Sequence, residues 1–167
     1  MLSVSAKSQT TIYGAALPAL AYSIGGFVNG DTPGTATTGA PVVSTTASSA
    51  SPIGTYAITA AAGTLRAGNY TFVFAGAVLT ITPASLTVTA NNISMKQGAA
   101  LPALTFTADG FVNKDTLASA ATGSPALTTS ATSASAPGVY EIGISQGSFA
   151  ASNYELKFVR GKLTIDQ

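Results

Sequence analysis

Gly14-Ala15-Ala16-Leu17-Pro18-Ala19-Leu20 returns later in the chain as Gly98-Ala99-Ala100-Leu101-Pro102-Ala103-Leu104. Working outward, Phe27-Val28-Asn29-Gly30-Asp31-Thr32 returns as Phe111-Val112-Asn113-Lys114-Asp115-Thr116, Gly54-Thr55-Tyr56-Ala57-Ile58 as Gly138-Val139-Tyr140-Glu141-Ile142, Asn69-Tyr70 as Asn153-Tyr154, and Leu79-Thr80-Ile81 as Leu163-Thr164-Ile165. Residues 2–83 superpose on residues 86–167 without a gap, with identity at about 36 of roughly 82 pairs, and self-similarity at one fixed period marks a tandem array. The chain is therefore two copies of one module, 2–83 and 86–167, each of a size that folds around its own small core.

Within a module the apolar residues fall at every second position, the period of a strand with one buried face. Leu2, Val4 and Ala6 match Leu86, Val88 and Ala90; Leu20, Tyr22 and Ile24 match Leu104, Phe106 and Ala108; Tyr56, Ile58 and Ala60 match Tyr140, Ile142 and Ile144. Tyr70, Phe72 and Phe74 match Tyr154, Leu156 and Phe158, and Leu79 and Ile81 match Leu163 and Ile165. A further strand is expected through Val43-Ser44-Thr45 and Leu127-Thr128-Thr129, after Pro41 and Pro125. Six or seven short strands per module predict an all-β fold, two tandem small antiparallel β-sandwiches of immunoglobulin-like type. The alternative is a β-grasp-like α+β module with a short helix after Asp31 and Asp115. Asp115 as N-cap and Gly123 as terminator favour a helical turn in the second copy, whereas Pro33 and Gly34 argue against one in the first.

Composition closes off whole classes of function. Only 8% of residues are charged and the net charge is +1, so no basic stripe exists for a nucleic acid. The chain has no Cys and no His, which removes disulfides, thiolate metal sites, the commonest general base and the usual zinc ligands. No enzyme and no cofactor are expected. Mean hydropathy is +0.38 without an apolar run long enough to span a bilayer, so no membrane insertion is expected either. Met1-Leu2-Ser3-Val4 lacks the basic start of a secretion signal and abuts the first repeat, so Met1 is expected to be a start added to a fragment of a longer protein. The four residues Thr82-Pro83-Ala84-Ser85 join the copies, and so short a connection implies an elongated monomer.

The remaining motifs each carry a structural and a chemical reading. Asn29-Gly30-Asp31 and Asn113-Lys114-Asp115 pair an amide with a carboxylate, but six acids in the whole chain are too few for calcium cages, and turns or caps are the expected role. Tyr70 and Tyr154 open a strand and are expected in the core with their hydroxyls tied to backbone. Tyr13 is opposite Gln97 in the alignment, which implies partial exposure, and with Arg66, Lys114 and Arg160 it is a candidate for ligand contact. Ser44–Ser51 and Thr128–Ser135 have the hydroxyl-rich composition of glycosylated stalks or of polar loops. A Lys–Asn amide cross-link would draw on Lys7, Lys96, Asn69 or Asn153, yet the copies share no Lys. No residue stands out as catalytic, cofactor-binding or metal-ligating, and the ligand-binding residues are unassigned.

Taken in order, Tyr13-Gly14, Leu17-Pro18-Ala19-Leu20-Ala21-Tyr22, Gly26 to Asp31, Thr38-Gly39-Ala40-Pro41, Ile53 to Ile58, Asn69-Tyr70 and Leu79 to Pro83 resemble the MBG repeat of bacterial surface proteins, in its Tyr-Gly variety. The likeness covers both copies, with departures at Gln97-Gly98 and at Lys114. It implies repeats of a large secreted adhesin exposed on a bacterial surface, and brings no catalytic or ligand residue with it. The expected role is a stalk or spacer that projects a binding domain from the cell, with neighbouring repeats as partners. The alternative is a module that itself adheres to host glycan, mucin or matrix protein.

Overall fold

The structure, a computed structural model, describes every residue from Met1 to Gln167 and divides the chain into two compact units, Met1–Thr82 and Pro83–Gln167. The first holds β1 (Leu2–Ala6), β2 (Gln9–Ile12), β3 (Tyr22–Gly25), the one-turn helix α1 (Pro33–Ala36), β4 (Val42–Thr45), β5 (Gly54–Ala61), β6 (Phe72–Ala75) and β7 (Ala77–Thr82). The second repeats that order as β8 (Ala84–Ala90), β9 (Ile93–Lys96), β10 (Phe106–Asp109), α2 (Leu117–Ala120), β11 (Ala126–Thr129), β12 (Gly138–Ser145), β13 (Tyr154–Val159) and β14 (Gly161–Asp166).

Each unit is a β-sandwich of a three-stranded and a four-stranded sheet. The orders are β3-β1-β6 with β4-β5-β7-β2 in the first unit, and β10-β8-β13 with β11-β12-β14-β9 in the second. All neighbours are antiparallel except one pair per sheet: β1 runs parallel to β6 and β2 to β7, and β8 and β13, β9 and β14 follow suit. Alternation fixes which face a side chain takes but not the direction of the neighbouring strand, so these mixed sheets are a property that the hydrophobic pattern does not carry.

The core repeats as the sequence does. Leu2 and Val4, with their counterparts Leu86 and Val88, are completely buried, as are Leu79 and Leu163, and Ile58 and Ile142 are nearly so. Two core pairs lie outside the strands: Leu65 with its counterpart Phe149, and Ala47 with Ala131. Leu65 and Phe149 each follow a tight turn, closed by Leu65 N–H to Ala62 O at 2.9 Å and by Phe149 N–H to Gln146 O at 2.9 Å, which turns the side chain inward. In the second unit Phe106 meets Phe149 edge-on at 5.8 Å.

Three local expectations are corrected. A helical turn forms in both units, because Pro33 occupies the start of α1, where a missing N–H costs nothing and the fixed φ suits the helix. Neither turn buries a residue, so neither can supply the helical layer that a β-grasp needs. The caps are Thr32 and Thr116, one residue beyond the acids: Ser119 N–H donates to Thr116 Oγ1 at 3.2 Å while Thr116 N–H donates to Ser119 Oγ at 2.8 Å. The expected four-residue connection is mostly strand, since Thr82 ends β7 and Ala84 already pairs with Tyr154 in β8.

Candidate functional site

The polar constellation that brings a carboxylate to a tyrosine in both units is built on the Asn-x-Asp corner. Val28-Asn29-Gly30-Asp31 is a hairpin-type turn with both central residues at positive φ, 57° and 77°, closed by Asp31 N–H to Val28 O at 3.0 Å. Val112 to Asp115 repeats it with Asn113 at 54°, Lys114 at 66° and a closing bond of 2.8 Å. Each turn delivers its Asp to a tyrosine. The Tyr70 hydroxyl lies 2.5 Å from Asp31 Oδ2, and the Tyr154 hydroxyl 2.6 Å from Asp115 Oδ2.

A phenol has one proton, and the carboxylate, a charged acceptor at the shorter distance, takes it in preference to the carbonyls of Val28 and Val112 at 3.3 and 3.4 Å. The hydroxyl in turn accepts from Val28 N–H at 3.3 Å and Val112 N–H at 3.1 Å. Phe27 and Phe111 pack edge-on against the same tyrosine rings, at 5.8 and 5.4 Å. The bond to Asp31 raises the Tyr70 pKa above its ordinary 10.0, because losing the proton would set two negative oxygens side by side. Tyr70, Asp31 and Asp115 are half-buried and Tyr154 is buried, while Asn29, Gly30 and Lys114 stay exposed at the turn tips, so the Tyr–Asp pair acts as a clasp that holds each turn to its domain.

The other repeated tyrosines are likewise occupied. Tyr56 donates to Pro52 O and Tyr140 to Ala136 O, both at 2.9 Å, tying the loop before β5 and β12 to the strand that follows. In the hydroxyl-rich stretches Ser48 N–H donates to Ser51 Oγ and Thr132 N–H to Ser135 Oγ, both at 2.9 Å, which makes them built turns. Lys7 and Lys96 are exposed, so neither occupies the sheltered position that a Lys–Asn cross-link requires.

The four ligand candidates are divided two and two between the units, Tyr13 and Arg66 in the first and Lys114 and Arg160 in the second. Tyr13, expected to be partly exposed, is buried at 6%. It has that place because Ile12-Tyr13-Gly14-Ala15 is a turn with Gly14 at φ 81° and Ala15 N–H bonded to Ile12 O, and the Tyr13 N–H is anchored on Thr82 O. Arg66 is exposed, and its Nη1 donates to the carbonyls of Gly63 and Leu65 at 3.2 and 2.7 Å. Lys114 is the exposed third corner of its turn. Arg160 pairs with Glu141 at 3.1 Å on the open surface, a contact worth little in water. No three acidic side chains gather into a possible metal cage.

Tyr13-Gly14-Ala15 is also a Tyr-Gly-x signature, the type by which one known domain family is described. The model of the MBG domain (YGX type) matches residues 2–80 and again 86–164, nearly the whole chain. The chain belongs to the MBG domain family. It is a family of structural repeats and not of enzymes. No curated protein matches the chain at a significant level. In the first MBG domain the signature reads Tyr13-Gly14-Ala15; in the second Gln97 replaces the tyrosine, while Gly98 keeps φ at 82° and Ala99 N–H still bonds Lys96 O. The conserved content of the motif in these two copies is thus the turn, with the aromatic ring as an optional plug.

Proposed function

We propose that the two MBG domains are load-bearing spacer repeats of a larger bacterial surface adhesin, holding a binding domain away from the cell. One observation carries this reading: the first and last strands of each domain are interior strands of its two sheets. β1 lies between β3 and β6, and β7 between β5 and β2; β8 and β14 occupy the same places in the second domain. A pull along the chain enters and leaves each domain through strands hydrogen-bonded on both sides, so extension must break two ladders at each end. The hydrogen bonds that tie each repeated tyrosine to a turn or loop of its own domain support the same reading.

Single-molecule pulling on the tandem tests it. The expected record is two abrupt unfolding steps, each releasing about 280 Å of chain at roughly 3.4 Å per residue. Gradual extension at low force would sink the load-bearing role. A glycan and matrix-protein array is the complementary test, and specific binding by this two-domain chain would favour an adhesive module over a spacer.

A further inference from the structure

Asn29-Gly30 is the only Asn-Gly step in the chain, and both residues are exposed at the tip of the first clasp turn. The Gly30 N–H has no hydrogen-bond partner, and the turn is closed by a bond of the next residue, Asp31 N–H to Val28 O. We propose that Asn29 is a site of spontaneous conversion to aspartate and isoaspartate, and that this conversion loosens the Tyr70–Asp31 clasp of the first domain while sparing the second.

The chemistry needs only water. The Gly30 amide nitrogen attacks the Asn29 side-chain carbonyl carbon, forming a five-membered succinimide. The bond from that carbon to the side-chain nitrogen breaks, and the leaving nitrogen takes the proton lost by Gly30 N and departs as ammonia. Water then opens the ring. Attack at the side-chain carbonyl gives aspartate; attack at the main-chain carbonyl gives isoaspartate, with the backbone rerouted through Cβ and lengthened by one carbon. Glycine permits the attack because no Cβ shields its nitrogen or restricts the rotation that brings the two atoms together. The second domain has Lys114 at this corner, and its side chain provides that shield.

The consequence follows from position. Asp31 is the only acid of the first domain, and its carboxylate accepts the hydrogen bond of the Tyr70 hydroxyl. Either product places a new carboxylate two residues away, and isoaspartate also shifts the backbone that aims Asp31.

The test incubates the whole chain at neutral and mildly alkaline pH and maps peptides by mass, with electron-transfer fragmentation to separate the two products. Asn29 should exchange its amide for an acid at a rate that rises with hydroxide, while Asn113 stays intact. Gly30→Lys should slow the reaction about tenfold or more by restoring the shield. That variant should fold, because Lys114 holds the same corner and a Cβ at Gly30 meets nothing within 4 Å. Lys114→Gly should open a second site at Asn113. An Asn29 that stays intact while the urea-unfolded chain converts, or a Gly30→Lys variant that converts as fast, would overturn the site. A converted first domain that melts where the fresh one does would overturn its link to the clasp.

Discussion

The Tyr70 hydroxyl and Asp31 Oδ2 stand 2.5 Å apart across 39 residues of chain, and the same bond recurs between Tyr154 and Asp115 at 2.6 Å. In each domain this contact fastens the turn before the helical segment to the edge strand of the small sheet, through Tyr154 as the first residue of β13 and through Tyr70 two residues before β6. Tyr154→Phe keeps the ring and its edge-on contact with Phe111 but removes the proton that Asp115 accepts and the oxygen that Val112 N–H uses. The expected loss is about 1.5–3 kcal/mol, the range for a hydrogen bond to a charged group. Chemical denaturation of the second domain measures it, and a loss below about 0.5 kcal/mol would remove the clasp from the account of stability.

The first domain should lose stability in alkali. Tyr70 holds its proton more tightly folded than unfolded, so the contribution is fully present below the unfolded value near 10.0 and is lost as pH rises through the higher folded value. Tyrosinate absorbance should show a late-titrating component that shrinks in Tyr70→Phe, and a component left unchanged by that substitution would refute the assignment.

Much of this was legible in the sequence, and the limits are physical. The alternation of Leu2 and Val4, Tyr56 and Ile58, or Leu79 and Ile81 located strands and inner faces correctly. β2 left no such trace in the first domain because Gln9-Thr10-Thr11-Ile12 is an edge strand with little to bury. Leu65 and Phe149 were missed because a single apolar residue in a turn has no period. Tyr13 was misjudged because its counterpart is polar Gln97, although the same turn carries a buried ring in one copy and an exposed amide in the other. The partnership of Tyr70 with Asp31 joins residues from separate elements, which no local pattern reveals.

Lys114 should be a removable defect. It sits at φ 66°, a left-handed conformation that costs a residue with a Cβ about 1 kcal/mol, while Gly30 fills the same corner freely. Lys114→Gly should stabilise the second domain by about 0.5–1 kcal/mol, part of the gain being returned through the freer unfolded chain. Thermal melting of the second domain reads this as a rise of a few degrees, and a fall would show that the lysine side chain makes up for its backbone.

Gly39 and Gly123 should be irreplaceable. A Cβ on Gly39 would stand 2.2 Å from Thr64 O and one on Gly123 2.1 Å from Ser148 O, both against backbone and both at positive φ. The neighbouring bridges Thr38 to Arg66 and Thr122 to Ala150 hold these segments together and prevent either from moving away. Gly123→Ala should therefore cost roughly 3 kcal/mol or more, a loss in the range reserved for forced backbone rearrangement. A well-folded Gly123→Ala domain of unchanged stability would mean that the loop yields where the bridge says it cannot.

Each domain should fold by itself. All strand pairings of the first close within Met1–Thr82 and all those of the second within Pro83–Gln167, and each has its own Leu, Ile and Val core. Tyr154→Ala should destabilise the second domain by about 3–5 kcal/mol as a large-to-small change at a buried ring. The first domain should melt as before, since sites with no shared partner add independently. Residues 83–167 expressed alone should give dispersed amide resonances that overlay those of the same domain in the tandem. If the isolated domain were unfolded, or if Tyr154→Ala melted both domains in one transition, the cooperative unit would be the pair, and a spacer whose repeats yield one at a time under load would no longer follow from this fold.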